Sequence, residues 1–442
     1  MIYPRLLLAR NLLSQRGVIF ISIDVNEQHN LRKICDEVFG AKSFLTDFIW
    51  NSRKSVSNDA VVSLNHNYTL VYVKNMRSFL DHKKEFKLKD TGAGFSNPDN
   101  DTRGPWKADP FDSPGIRPNL TYEISNPNTG EKFLPPEGRC WRTGPNEYLK
   151  LLADNRIVFG KTGKGKPQQK RFLSEAQGKG LTPKSLWDDI GTTTDGTNEI
   201  QKIFGFKAFD TPKPVSFIKK IIDLASSKDS IIMDFFSGSS TTAQAMMEVN
   251  EEEGSHRKFI LVQIPEKCCE SSLAYQHGYK TISDIGEERI RRVSSLLKTN
   301  NPNEGDQDRG FRVFVLSESN MKDVYYSPDM FNQENLFIME SNIKEDRTDL
   351  DLLFGCLLEW GLELSKPYTS EEILGVTIHT YDEDALIACF SEDVPEEVIR
   401  AIARRQPLRA IFRDNSFIDD AARVNVEEIF RLLSPDTEVK VL

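Results

Sequence analysis

The sequence predicts an α/β protein, and three observations predict it. Val18–Ile23 is a nearly continuous apolar run ending at Asp24, which reads as a buried parallel strand. Segments of helical spacing alternate with runs of this kind at both ends of the first 300 residues. Between them, from about Asp90 to Gly196, the alternation gives way to Gly, Pro, Asn, Thr and Lys with short apolar pieces, the texture of an inserted domain.

In order, Arg5–Leu13 fits an amphipathic helix stopped by Gly17, and Asn26–Phe39 a second helix closed by Gly40. Phe44–Trp50 and Tyr68–Val73 read as strands. In the insert, Asn97-Pro98, Gly104-Pro105, Ser113-Pro-Gly115 and Asn126-Pro-Asn128 are turn signals. Trp106, Phe111, Tyr122, Phe133, Trp141 and Phe159 supply it with core material. Clean alternation resumes at Phe209, with a helix over Val215–Ala225 started by Asp210-Thr-Pro212. Strands follow at Ser230–Phe236 and Lys258–Ile264, and helices at Ala243–Val249 and Arg289–Leu297. After a polar linker, Lys298–Gln307, a small α/β domain is expected. Its strands are Phe311–Leu316, Val376–His379, Ala385–Cys389, Leu408–Phe412 and Glu438–Val441, and its helices Asp349–Leu364, Glu396–Arg404 and Val426–Leu433. The divisions are 1–90, 91–200, 201–300 and 301–442.

Composition sets bounds. A chain of 442 residues exceeds one ordinary core. No run of about 18 apolar residues exists, which argues against a membrane span. The six cysteines, Cys35, Cys140, Cys268, Cys269, Cys356 and Cys389, form no Cys-x-x-Cys pair, so neither a zinc knuckle nor a disulfide scaffold is expected. No metal site is expected, and a reducing cytoplasm is the simplest compartment. Net charge is −9, unevenly spread. Residues 1–300 hold 43 Lys+Arg against 36 Asp+Glu, and residues 301–442 hold 14 against 30. The first part suits a polyanion; an acidic tail that aids solubility explains the split equally well.

The strongest local signal is Ile231-Ile-Met-Asp234-Phe-Phe236-Ser-Gly238-Ser-Ser240-Thr-Thr242. A strand ends in an acid and an aromatic, and a small-residue turn opens a helix. Backbone N–H groups and a helix N-terminus then face a ligand, while Asp234 can hold an ammonium. It is neither a dinucleotide fingerprint nor a phosphate loop; a plain strand-to-helix turn is the alternative. Thr211-Pro-Lys213-Pro214 precedes it at helix distance, and Gln263 ends the next strand, where its side chain can accept from ribose hydroxyls. In the insert, Lys161, Lys164, Lys166, Lys170 and Arg171 form a run without an acid, suited to phosphates or to a solvated loop. His66 and Cys268-Cys269 read as structural. Pro435-Asp-Thr-Glu-Val-Lys440 is too tightly spaced for a nuclease metal site.

The sequence resembles the modification subunit of type III restriction systems, a family of β-class methyltransferases acting on adenine N6 in DNA. Pro4–Arg10, Gly17–Asp24, Ile34–Gly40, Arg139–Arg142, Leu186–Thr192, Asp210–Pro214, Leu408–Asp414 and Leu433–Lys440 carry the resemblance. It implies a permuted Rossmann-like methyltransferase sheet with a target-recognition insert. It also implies an S-adenosylmethionine loop at Phe236-Ser-Gly238-Ser-Ser240, with Thr211, Lys213 and Pro214 at the methionine end. Double-stranded DNA, a homodimer and a separate restriction subunit are its implied partners.

Two departures accompany it. The catalytic tetrapeptide Asp-Pro-Pro-Tyr is absent; the nearest string, Ala108-Asp-Pro-Phe111, lies in the insert. Ser240 stands where the loop normally has glycine, at a cost of about 1 kcal/mol if φ must be positive. The tetrapeptide's strand belongs between Val18–Asp24 and Ile231–Asp234, so one central strand is expected to be missing, leaving two buried edges facing a gap. A truncated or split methylase, inactive alone, is the expectation; a DNA-binding or partner-binding remnant is the alternative.

Overall fold

The computed structural model describes residues 2–160, 162–300, 307–322, 343–417 and 420–442. They form two compact units, Met1–Arg309 and Gly310–Leu442.

The first unit opens with α1 (Ile2–Leu12), β1 (Val18–Ile23), α2 (Gln28–Cys35), β2 (Phe44–Asn51), β3 (His66–Val73) and α3 (Met76–Asp81). The insert contains β4 (Trp106–Pro110), β5 (Asp112–Pro114), β6 (Ile124–Ser125), β7 (Lys132–Phe133), β8 (Arg139–Trp141), α4 (Pro145–Ala153), β9 (Ile157–Val158), β10 (Gln168–Phe172) and α5 (Leu173–Lys179). Then come β11 (Leu186–Trp187), α6 (Thr193–Phe204), α7 (Val215–Ala225), β12 (Ile231–Asp234), α8 (Thr241–Glu253), β13 (Lys258–Leu261), α9 (Leu273–Gln276) and α10 (Ile282–Asn300).

A four-stranded sheet runs β1-β3-β2-β11, and β12 pairs in parallel with β13. β1 is not the buried parallel strand its apolar run suggests. It pairs antiparallel with β3 alone and is only partly buried, because nothing among the described residues pairs with its other edge. β12 has the same open edge, and it is not buried either: Ile231 is 66% and Met233 40% exposed. Both faces of the larger sheet are covered. Leu6, Leu31, Cys35 and Val38 of the α1–α2 region pack on one side, and Phe217 and Leu224 of α7 meet Phe48, Trp50 and Trp187 on the other. Phe235, just past β12, joins the cluster containing Ile21 and Ile23 of β1.

The insert builds its own core from Phe111, Ile124, Trp141, Tyr148, Ile157 and Phe159. The string Ala108-Asp-Pro-Phe111 belongs to it: Phe111 is fully buried, and Asp109 pairs with Arg171 at 3.2 Å.

In the second unit, a sheet of β14 (Tyr368–Ile373), β15 (Val376–Tyr381), β16 (Leu386–Cys389), β17 (Arg409–Phe412) and β18 (Glu438–Val441) is antiparallel up to β16 and parallel beyond. α11 (Asp349–Glu359) covers one face; α12 (Glu396–Arg404) and α13 (Asp420–Leu433) cover the other. The expected strand Phe311–Leu316 does not form. Among the described residues this segment joins no sheet, Val315 and Leu316 are exposed, and Arg312 donates to the Lys366 carbonyl at 2.6 Å. Arg309 belongs to the first unit, pairing bidentately with Glu251 at 2.6 and 2.8 Å, so the division falls later than residue 300.

Candidate functional site

The strand–turn–helix at β12 is closed by its own polar groups. Asp234 accepts from the Phe236 N–H at 3.1 Å and from the Thr242 hydroxyl at 2.6 Å, so the carboxylate ties the strand end to the first turn of α8. Ser240 N–H donates to the Ser237 carbonyl at 2.8 Å. Gly238 has φ 51° and Ser240 φ 58°, both left-handed. For Ser240 this is the sterically costly region that the sequence pointed to. Beside Gly238 the Phe209 ring leaves just enough room: a Cβ there would lie 3.5 Å from it. Phe236 stands out from the loop with its ring 58% exposed.

Gln263 is placed differently from expectation. Its Oε1 accepts the Gly238 N–H at 2.7 Å and its Nε2 donates to the Ile264 carbonyl at 3.1 Å. The side chain braces the loop instead of standing free for a sugar.

The segment Thr211–Pro214 lies against α6 because two glycines let it. A Cβ on Gly196 would sit 3.0 Å from the Lys213 carbonyl carbon and closer still to the Pro212 oxygen, and one on Gly191 would be 3.0 Å from Pro214 Cβ. Pro214 caps α7, and the Val215 N–H that follows donates to Glu199 at 2.8 Å. Thr211 is exposed. The Lys213 ammonium lies 5.1 Å from the centre of the Trp50 ring, and burial lowers its pKa.

One residue outside the sequence motifs is central. Arg289 of α10 is fully buried. Its Nη1 donates to the Ser239 hydroxyl at 3.0 Å, the Ser239 carbonyl at 3.2 Å and the Thr241 hydroxyl at 2.7 Å; its Nε donates to Gln244 at 2.8 Å. Burial pushes it down to about 10, with Glu199 and Glu248 pulling the other way. Glu199, itself raised by burial, holds the start of α7 through its bond from the Val215 N–H. α7 and α8 meet through Lys219, whose ammonium lies 2.8 Å from Glu248 and 2.6 Å from Glu252. The signal was available in Glu199 and Arg289 as charges on apolar helix faces.

The basic run of the insert divides. Lys161 lies outside the described residues. Lys164 and Lys166 are exposed. Lys170, on β10, is fully buried: it pairs with Asp99, lies 3.0 Å from Asp101, and sits 5.0 Å from the centre of the Trp106 ring. Arg171 is half-buried against Asp109. Alternation along the strand turns Lys170 inward, so its ammonium is not presented to a phosphate. Among the described residues no cluster has metal-ligand character, and no helix is long and apolar enough to cross a membrane.

These residues lie within a stretch shared with known proteins. A family model described as DNA methylase matches residues 1–275. The Mod subunit of the type III restriction-modification enzyme StyLTI from Salmonella typhimurium is 40% identical over 319 residues, 71% of this chain and 47% of its own length. The Mod subunit of EcoP15I from Escherichia coli is 25% identical over 97% of this chain and 70% of its own. The type II methyltransferase M.KpnI from Klebsiella pneumoniae is 32% identical over 66% of this chain and 72% of its own. The chain thus spans about half the length of the StyLTI subunit. With the model matching well over half of the sequence, and with relatives of this kind, the chain belongs to the DNA methylase family and is similar within it to type III Mod subunits.

Proposed function

We propose that the chain provides the methyl-donor pocket and the DNA-recognition insert of an S-adenosylmethionine-dependent adenine N6 methyltransferase, working beside a restriction subunit. The observation that carries this is the loop Phe236–Ser240, held left-handed at Gly238 and Ser240 between an acid-ended strand and a helix N-terminus. S-adenosylmethionine, when bound, supplies an electrophilic methyl group on a sulfonium centre.

The residues present fit that group. The exposed Phe236 ring offers a face for a purine, and the small side chains at Ser237 and Gly238 leave the backbone open to close approach. Asp234 retains acceptor capacity beyond its two internal bonds and is placed to favour a cation. The Thr211–Pro214 segment would form the second element of the pocket, its end fixed where Glu199 accepts from the Val215 N–H at 2.8 Å. On the insert, Lys164 and Lys166 are the exposed cations among the described residues of the basic run and take phosphate contacts.

In a methyltransferase of this kind an Asp-Pro-Pro-Tyr element would accept the adenine amino protons and stack on a base drawn out of the duplex. The tetrapeptide Asp-Pro-Pro-Tyr is not among the 442 residues, and Asp109 and Phe111 serve the insert's fold. Donor and DNA binding without turnover by this chain alone is therefore the second reading. Titration calorimetry with S-adenosylmethionine tests the pocket, and absence of binding overturns the proposal. Methyl transfer to duplex DNA, by the chain alone and with a polypeptide carrying the tetrapeptide added, separates the readings. Turnover only with the addition supports division of labour; robust turnover by the chain alone refutes the second reading.

A further inference from the structure

The donor loop's conformation rests on a helix that lies outside it in sequence. Ser240 has φ 58° and ψ 36° and is 4% exposed, so both its backbone and its side chain must be accommodated. A serine in the left-handed region is sterically disfavoured, and it persists only where its surroundings over-determine it. The surroundings are supplied by α10. Gly286 on that helix has no side chain, and a Cβ built there would fall 2.5 Å from Ser240 Oγ and 3.3 Å from the Gly238 carbonyl oxygen. One turn further along, Arg289 binds the residues on both sides of Ser240 through the Ser239 carbonyl, the Ser239 hydroxyl and the Thr241 hydroxyl.

α10 is itself fixed. Arg292 pairs with Glu288 at 2.7 Å and donates to the Ile203 carbonyl of α6 at 3.1 Å, and Ile285 packs with Ile200 and Phe204. Reach and rigidity are thus both present.

We infer that Gly286 and Arg289 are positioning residues for the methyl-donor loop: the bare Cα of Gly286 makes the space that Ser240 occupies, and Arg289 holds Ser240's neighbours so that the left-handed turn is kept. This rests on the loop being the donor site. The glycine that the turn itself lacks at position 240 has its counterpart on the facing helix. Neither residue touches the donor; both act through the loop's N–H groups and the carbonyl of Gly238.

The test is a two-residue cycle on the full chain, read by calorimetric affinity for S-adenosylmethionine alongside the melting temperature. Gly286→Ala should weaken donor binding by about tenfold, because overpacking against a tight turn displaces it. Ser240→Gly removes the atom in conflict and gives the cycle its second background, in which adding Gly286→Ala should cost less than about threefold. The double variant Gly286→Ala/Ser240→Gly should recover most of the lost affinity, which a general loss of packing on α10 would not produce. Arg289→Lys keeps the charge but cannot reach the same acceptors together; it should weaken binding, measured well below its own lowered melting temperature, and Ser240→Gly should not rescue it.

If Gly286→Ala does not fold, the double variant still decides: recovery of folding and binding supports the interlock, and failure of both overturns it. If the parent binds the donor and Gly286→Ala binds equally well, the inference falls while the donor site stands. If the parent does not bind, the donor site itself is wrong, and the inference falls with it.

Discussion

Lys170 separates a structural cation from a nucleic-acid contact. Lys170→Met keeps most of the apolar stem and removes an ammonium that pairs with Asp99, lies 3.0 Å from Asp101 and faces the Trp106 ring. Breaking a buried ion pair by removing one partner costs about 3–5 kcal/mol. The lower end applies, because Asp101 keeps Arg103 at 2.8 Å, Asp99 is 37% exposed, and the Trp106 indole N–H still donates to Asp99 at 2.7 Å. A loss of about 3 kcal/mol corresponds to a fall of roughly 5 °C in the melting of a unit running from Met1 to Arg309. The comparison is Lys164→Ala/Lys166→Ala, which removes two exposed cations with no ion-pair partner described. That pair should leave melting unchanged and flatten the slope of log binding constant against log salt by up to about 0.9 per lost phosphate contact. Scanning calorimetry and fluorescence anisotropy with duplex DNA over a salt series measure both quantities. If Lys170→Met melts like the parent and lowers the salt slope, the assignment of Lys170 to the insert's interior is wrong.

Three more outcomes follow from the same geometry. Gly196→Ala drives a Cβ into the backbone at Pro212 and Lys213; by melting and calorimetry it should destabilise the first unit by about 1–3 kcal/mol and weaken donor binding. Glu199 is raised above its ordinary 4.5 by burial, so the stability it contributes is complete below that value and lost as pH rises through its higher folded-state value. Glu199→Gln should therefore match the parent near pH 4 and exceed it in denaturant stability above that window, keeping the acceptor for the Val215 N–H; equal pH profiles would contradict this. Cys269 is exposed, with its thiol lowered by the Ser271 hydroxyl at 3.0 Å, whereas burial pushes Cys35 up to about 12 and Cys356 and Cys389 up to about 11. Timed alkylation at pH 8 with peptide mapping should label Cys269 ahead of the other three.

The parts of the fold visible in the sequence are those set by local pattern. Val215–Ala225 is a helix over the residues its spacing indicates, and Glu396–Arg404 and Glu438–Val441 also match. The acid-ended strand and small-residue turn at Asp234–Ser240 is where its composition places it, with the left-handed φ at Ser240 that a missing glycine implies. What local pattern cannot carry is the partner. Lys170 reads as one of five cations in a row until strand alternation and two aspartates about 70 residues earlier turn it inward. Arg289 is about 50 residues from the turn it holds. Phe311–Leu316 has the composition of a strand, but a strand needs an edge to pair with, and among the described residues the segment joins no sheet. The β1 run looked fully buried because apolarity does not distinguish a central position from one beside an open edge.

That open edge has a practical side. On β12, N–H and C=O groups that no strand among the described residues pairs run beside Ile231 and Met233, with no charge among Ile231-Ile-Met233 to repel a second molecule. Bare strands of this sort zip onto one another, and nature usually studs them with lysine to stop it. Concentrated stocks of the chain should therefore cluster through β12, and a lysine in place of Ile231 should keep them clear while leaving the turn beyond Asp234 intact.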